Sequence, residues 1–270
     1  MLRTFEIKNK DSIVRRPPRG RCIYCGAVEY RTKSERKLGE EHVIAEGLGG
    51  ILALEEAACE KCEKAINTFE QPILKTVLYA PRVHLGIRRK RRKRGQETTK
   101  IQGRVDGKDV EVFLPIDKIP ALLFLLCLGP PGLLVGRPPD IADMTGAWVL
   151  HLNVDKIIAP QGFQSFASPV MDTFKFSQFL AKIAHGFAVD TLGDGFNPTL
   201  PDFIKNDARS PRFDLIGGNS QTEPMTANLH ELGIEWMHAN GSDYAVVRIR
   251  LFSNLGAPTY LVIARTRKAS

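Results

Sequence analysis

No long apolar run occurs anywhere in the 270 residues: the longest, Ala121 to Leu128, is far too short to cross a bilayer. The N-terminus has no signal-peptide hydrophobic core either, so the expectation is a soluble, cytoplasmic protein of bacterial type with no membrane partner. Cysteine is scarce, with five in the chain. That excludes the disulfide-dense scaffold of a small secreted domain. The six histidines show no second regular metal spacing. His151, His185, His230 and His238 are expected to be ordinary surface histidines or satisfied core ones.

Four of the five cysteines form two Cys-x-x-Cys pairs, Cys22 with Cys25 and Cys59 with Cys62. Two such knuckles suit a tetrahedral structural zinc ion; a disulfide pair is the other chemistry open to four cysteines. Cys127 stands apart in the apolar run. The separation between the knuckles exceeds that of a minimal zinc ribbon, so a folded insert is expected to fill it. Glu41 to Ala45 reads as a strand, Gly47-Leu48-Gly49-Gly50 as a turn, and Ile51 to Leu54 as a returning strand. From Cys59 onward, Ile66, Phe69, Ile73, Leu74, Val77 and Leu78 recur at helical spacing, with Pro72 as a candidate kink. Glu63 and Asn67, four apart, share a face of that helix.

The order Cys-x-x-Cys, Glu41-His42-Val43-Ile44, Leu48-Gly49-Gly50, Cys-x-x-Cys resembles the HNH endonucleases, specifically their zinc-knuckle branch, over residues 20 to 80. The resemblance implies a ββα-metal finger that holds one catalytic divalent ion, Mg²⁺ or Mn²⁺. By it, His42 is the general base that takes a proton from the attacking water, and Glu41 is a ligand of the ion. Asn67 matches the last metal position, and Glu63 falls where the family places His or Asn. The chemistry agrees: hydrolysis of a phosphodiester needs a base that titrates near neutrality and a hard cation at the phosphate. The chain departs from the family at Ala45, where a proline is usual, and no asparagine lies between Val43 and Cys62 to orient the base. A finger that binds nucleic acid without cutting it, or a purely structural finger in an adaptor protein, are the alternatives.

Charge is uneven. Residues 1–104 carry 24 Lys and Arg against 13 Asp and Glu, and residues 105–270 carry 14 against 17. The densest piece is Arg88, Arg89, Lys90, Arg91, Arg92, Lys93 and Arg94, expected to grip a phosphate backbone, DNA in the first place. The sequence divides into a loosely ordered basic lead-in (1–21), the finger (22–80), a basic linker (81–100) and a larger mixed domain of unassigned role (101–270). In the last, Asp106-Gly107 marks a hairpin, Ala121 to Leu128 is expected to be a buried helix, and Phe174 to Val189 an amphipathic helix. Strands are expected at Ala147 to Val154, Phe213 to Ile216, Tyr244 to Phe252 and Tyr260 to Ala264. Arg248 and Arg250 share a strand face that could meet phosphate. The fold class expected is α+β: a small zinc-stapled finger, then a larger mixed α+β domain.

Overall fold

The computed structural model describes residues 3–9, 11–33, 35–87, 98–115, 118–158, 162–167, 169–193, 198–205, 211–220 and 223–268. The basic run Arg88 to Arg94 lies outside them. The strands are β1 (Arg3–Ile7), β2 (Val14–Arg16), β3 (Gly39–His42), β4 (Leu52–Ala58), β5 (Thr98–Val105), β6 (Lys108–Pro115), β7 (Ala121–Leu128), β8 (Met144–Leu152), β9 (Ser165–Phe166), β10 (Ile216–Gly218), β11 (His230–Ala239), β12 (Ser242–Leu251) and β13 (Thr259–Lys268). The helices are α1 (Glu60–Lys75), α2 (Tyr79–His84), α3 (Gly132–Val135), α4 (Val154–Ile158), α5 (Thr173–Leu192) and α6 (Pro201–Lys205). The fold is thus mixed α and β, with small sheets and few helices.

Between the knuckles the chain runs strand, turn, strand, helix. β3 and β4 pair antiparallel, with His42 opposite Ala53 and Glu41 opposite Leu54. The turn between them closes on itself through Gly49 N–H to Glu46 O and Gly50 N–H to Ala45 O. Gly50 is required by a close approach: a Cβ there would lie 1.8 Å from the Ile44 carbonyl oxygen. α1 starts one residue after Cys59 and continues through Pro72 to Lys75. Its apolar stripe, Ile66, Phe69, Ile73 and Leu74, is buried as the helical spacing requires.

The N-terminal stretch is not a loose lead-in. β1 is the edge strand of the largest sheet, ordered β1-β11-β12-β13-β10, and β2 adds to the small sheet as a parallel neighbour of β4, giving β2-β4-β3. Two of its arginines are paired with carboxylates elsewhere in the fold. Arg15 pairs with Glu40 at 2.8 Å, and Arg16 with Asp190 of α5 at 2.8 Å.

The apolar run Ala121 to Leu128 is also not a helix. It is β7, paired along its length with β8. Burial alternates along it, with Leu123 and Leu125 at 0% and 1% exposure and Phe124 at 48%. A continuous apolar octet fits a strand and a helix equally well in sequence, and the cross-strand partner decides. The hairpin at Asp106-Gly107 is present between β5 and β6, both turn residues having positive φ. β11 is not among the expected strands, although Leu232, Ile234 and Trp236 alternate with Glu231, Gly233 and Glu235 at the strand period.

α5 is the central element. Asp172 caps it by accepting a hydrogen bond from the Lys175 backbone N–H at 3.1 Å, and residues Phe176 through Val189 are all buried. It packs on β12 and β13 on one side and on α1 on another. Gly186 lets it approach the finger closely, a Cβ there lying 3.3 Å from Val43 Cγ2. The resulting core is continuous from the knuckles to the large sheet.

Candidate functional site

The first half of the site is the cysteine cluster. Cys22 and Cys25 sit in a tight loop closed by Gly26 N–H to Cys22 O at 2.8 Å, with Gly26 at φ 78°; Cys59 is the N-cap residue of α1 and Cys62 lies in its first turn. All four Sγ atoms lie within 4.8 Å of one another, and none is in a disulfide. A tetrahedral zinc with Zn–S bonds of about 2.3 Å sets its sulfurs about 3.8 Å apart. Cys25 and Cys59 stand at 3.6 Å. The Cys22 thiol is pulled down to about 4, chiefly by the hydrogen bond from Cys62, whose own proton is held correspondingly tightly. The donors therefore fit a structural metal such as zinc, by their spacing and by sulfur chemistry.

The second half is an open cleft of about 660 Å³ between β3 and α1, lined by Glu40, Glu41, His42, Glu46, Glu63, Asn67, Glu70, Lys75, Arg82 and Lys182 among others. All four residues to which the sequence assigns chemistry, Glu41, His42, Glu63 and Asn67, border it. Strand alternation puts Glu40 and His42 on one face of β3 and Glu41 on the other. Hence Glu40, two residues before His42, reaches its ring: Oε1 lies 3.0 Å from His42 Nε2, with Glu46 Oε2 at 4.0 Å.

Glu41 turns inward, to a partner that the sequence does not announce. Lys182 of α5, 1% exposed at its side chain, places its ammonium 2.8 Å from Glu41 Oε1 and 3.0 Å from Glu70 Oε1. The same nitrogen donates to the backbone oxygens of His42 and, at 3.4 Å, Val43. Burial pushes the Glu41 carboxyl up, and Lys182 draws it part of the way back. Burial works against the Lys182 charge too, but the Glu41 and Glu70 carboxylates more than reverse this and leave its pKa above the ordinary lysine value. Lys182 remains an ammonium.

Glu63 is also engaged. Its Oε2 accepts the Tyr30 hydroxyl at 2.6 Å, and its Oε1 lies where a Cβ on Gly39 would be, 2.0 Å away. Gly39 is what lets this carboxylate fold over the strand. Asn67 is exposed on the cleft wall, one helical turn on. As arranged, Glu41, Glu63 and Asn67 do not form a cage for a divalent ion: two of the three already have partners. Among the described residues, the cysteines are the one group of three or more Cys, His, Asp or Glu side chains close enough together to hold a metal.

Two of the histidines expected to be ordinary surface or satisfied core residues are satisfied core ones, and each fastens a loop near the site. His185 of α5 donates from Nε2 to Ile23 O at 2.8 Å, and His230 of β11 to Leu48 O at 2.7 Å while Nδ1 accepts the Phe252 N–H. Burial lowers both to about 4, which keeps them neutral, and the carbonyl acceptors fix the proton on Nε2. Arg248 and Arg250 do not present themselves to phosphate: both are held by Glu223, and Arg250 also by the Pro224 carbonyl and Glu231. In the sequence Lys182 stands only as a lysine between Leu180-Ala181 and Ile183-Ala184, in a helix that also carries Lys175, and nothing local names the carboxylates it meets.

No family model, no curated protein and no solved structure matches the chain.

Removing the metal should loosen this half of the molecule. Elemental analysis of the native chain is expected to find one zinc per chain, and Cys62→Ser to reduce it to near zero while residues 20 to 80 become protease-sensitive. Native protein with no bound metal contradicts the assignment.

Proposed function

We propose that the cleft hydrolyses phosphodiester bonds in nucleic acid, DNA in the first place, as an endonuclease of the HNH type with His42 as general base. The observation that carries this is the meeting of His42 from β3 with Glu63 and Asn67 from α1 around one open cleft, beside a four-cysteine cluster in strand–turn–strand–helix order. The missing orienting asparagine has a replacement in Glu40, whose carboxylate would hold the imidazole and stabilise it once protonated, as a carboxylate does for a catalytic histidine elsewhere. Arg15, in turn, holds Glu40. Lys75 and Arg82 on the cleft wall would supply positive charge to the phosphate. The resemblance also implies Mg²⁺ or Mn²⁺ at Glu41, Glu63 and Asn67, and no step here depends on that ion. The basic run Arg88 to Arg94 would add a grip on the phosphate backbone.

A second reading, a zinc finger that binds nucleic acid without cutting it, is favoured by two observations. Glu41 is closed by Lys182, and His42 Nδ1 is shielded from solvent. A supercoiled-plasmid assay with and without Mg²⁺ or Mn²⁺ separates the two readings. In the first, the parent nicks or linearises the plasmid, and His42→Ala cuts about a hundred- to ten-thousand-fold more slowly with zinc content unchanged. Equal cutting by His42→Ala removes His42 from the mechanism; binding with no cutting by the parent selects the second reading.

Both readings share the phosphate grip. Neutral residues in place of Arg88 to Arg94 should weaken binding similarly across sequences and flatten the slope of log affinity against log salt by about 0.9 for each phosphate no longer neutralised. An unchanged slope would show the run to be a bystander.

A further inference from the structure

The Lys182 ammonium is surrounded by four oxygens: Glu41 Oε1 and Glu70 Oε1 at 2.8 and 3.0 Å, and the backbone carbonyls of His42 and Val43. Carboxylate and carbonyl oxygens without nitrogen or sulfur are the donor set that hard divalent cations take from proteins. An ammonium has three N–H groups, fewer than the oxygens around it. The oxygens come from β3, the residue that follows it and α1, and the cation comes from α5, so its presence is fixed by the fold and not by the concentration of an ion. Two carboxylates this deeply buried also need a positive charge between them; both side chains are 13% exposed or less.

We propose that Lys182 is the resident cation of the inner cleft: its ammonium fills the place between Glu41 and Glu70 that a divalent ion would otherwise occupy, and removing that ammonium converts the pocket into a divalent-ion site. Glu41 is then a positioning residue, which anchors Lys182 and through it the backbone of the strand that carries His42. Glu70, three residues beyond Asn67 on the same wall of α1, completes the clasp. The parent chain binds no divalent ion at Glu41. Because the inference concerns which cation sits at Glu41 and Glu70, it holds whether or not the cleft cuts nucleic acid.

Mn²⁺ is the probe, titrated into the full zinc-loaded chain and followed by the electron paramagnetic resonance of the free ion. In the parent, Glu41→Gln is expected to leave Mn²⁺ binding unchanged. Lys182→Met is expected to gain one Mn²⁺ per chain, bound at least about tenfold more tightly than any Mn²⁺ on the parent, a gain of about 1.4 kcal/mol. Adding Glu41→Gln or Glu70→Gln to Lys182→Met should abolish the gained site. Zinc content and circular dichroism report folding in each case. A folded Lys182→Met that gains no Mn²⁺ overturns the proposal, and so does a parental Mn²⁺ site that Glu41→Gln removes. The second arm needs no Lys182 variant, so the test stands if Lys182→Met does not fold. Plasmid cleavage by the same parent sample reports separately on the nuclease reading: absence of cutting would remove that reading and leave this one standing.

Discussion

A lysine ammonium buried between two glutamates is the constraint on which the rest of the arrangement depends. Lys182 lies on the helix that the whole core surrounds, and its charge leaves water only because Glu41 and Glu70 come with it. Those two residues stand on different elements, β3 and α1, so one nitrogen fixes the width of the cleft between them. His185 and His230 act alongside it, each donating to a backbone carbonyl in a loop of the finger, one at the first knuckle and one at the glycine turn. Three polar side chains from the larger part of the chain thereby satisfy backbone oxygens of the smaller one, and the apolar core is continuous beneath them. This smaller part carries the cysteine cluster within it and is fastened from outside by α5 and β11.

The local skeleton of the finger is legible in the sequence because its determinants are local. Cys-x-x-Cys spacing, a glycine turn and a helical apolar stripe each act over a few residues, and the four cysteines do converge as the spacing implies. So are the 106–107 hairpin and α5, whose turn chemistry and apolar density are strong short-range signals. Long-range pairing is what the sequence hides. β1 joins β11 across more than two hundred residues, and nothing in Arg3 to Ile7 names that partner. The 121–128 octet reads as a helix and folds as a strand, because burial on one face and on all faces look alike when every residue is apolar. Lys182 is hidden for the same reason: which carboxylates a buried lysine meets is a property of the fold.

At the site, five glutamates border the cleft, and their partners differ in kind. Glu41 and Glu70 share Lys182, Glu63 takes the Tyr30 hydroxyl, and Glu40 is shared between Arg15 and His42. Strand alternation explains the division, since it sends Glu41 inward to a tethered cation and sets Glu40 and His42 side by side on the open face. The inner pair of carboxylates therefore holds the frame, while the outer one holds the imidazole. The four cysteines form a separate cluster at the Cys22–Cys25 loop and the start of α1, which suits a metal that stabilises and does not react.

The central claim, that one ammonium neutralises two buried carboxylates and so holds β3, α1 and α5 together, is tested most directly by the stability of Lys182→Met beside the triple variant Lys182→Met with Glu41→Gln and Glu70→Gln, measured by denaturant unfolding of the zinc-loaded chains without added Mg²⁺ or Mn²⁺. Lys182→Met alone should lose about 3–5 kcal/mol, because it strands two buried like charges, and the triple variant should recover most of that loss although it carries two further substitutions. A triple variant no more stable than Lys182→Met would contradict the account.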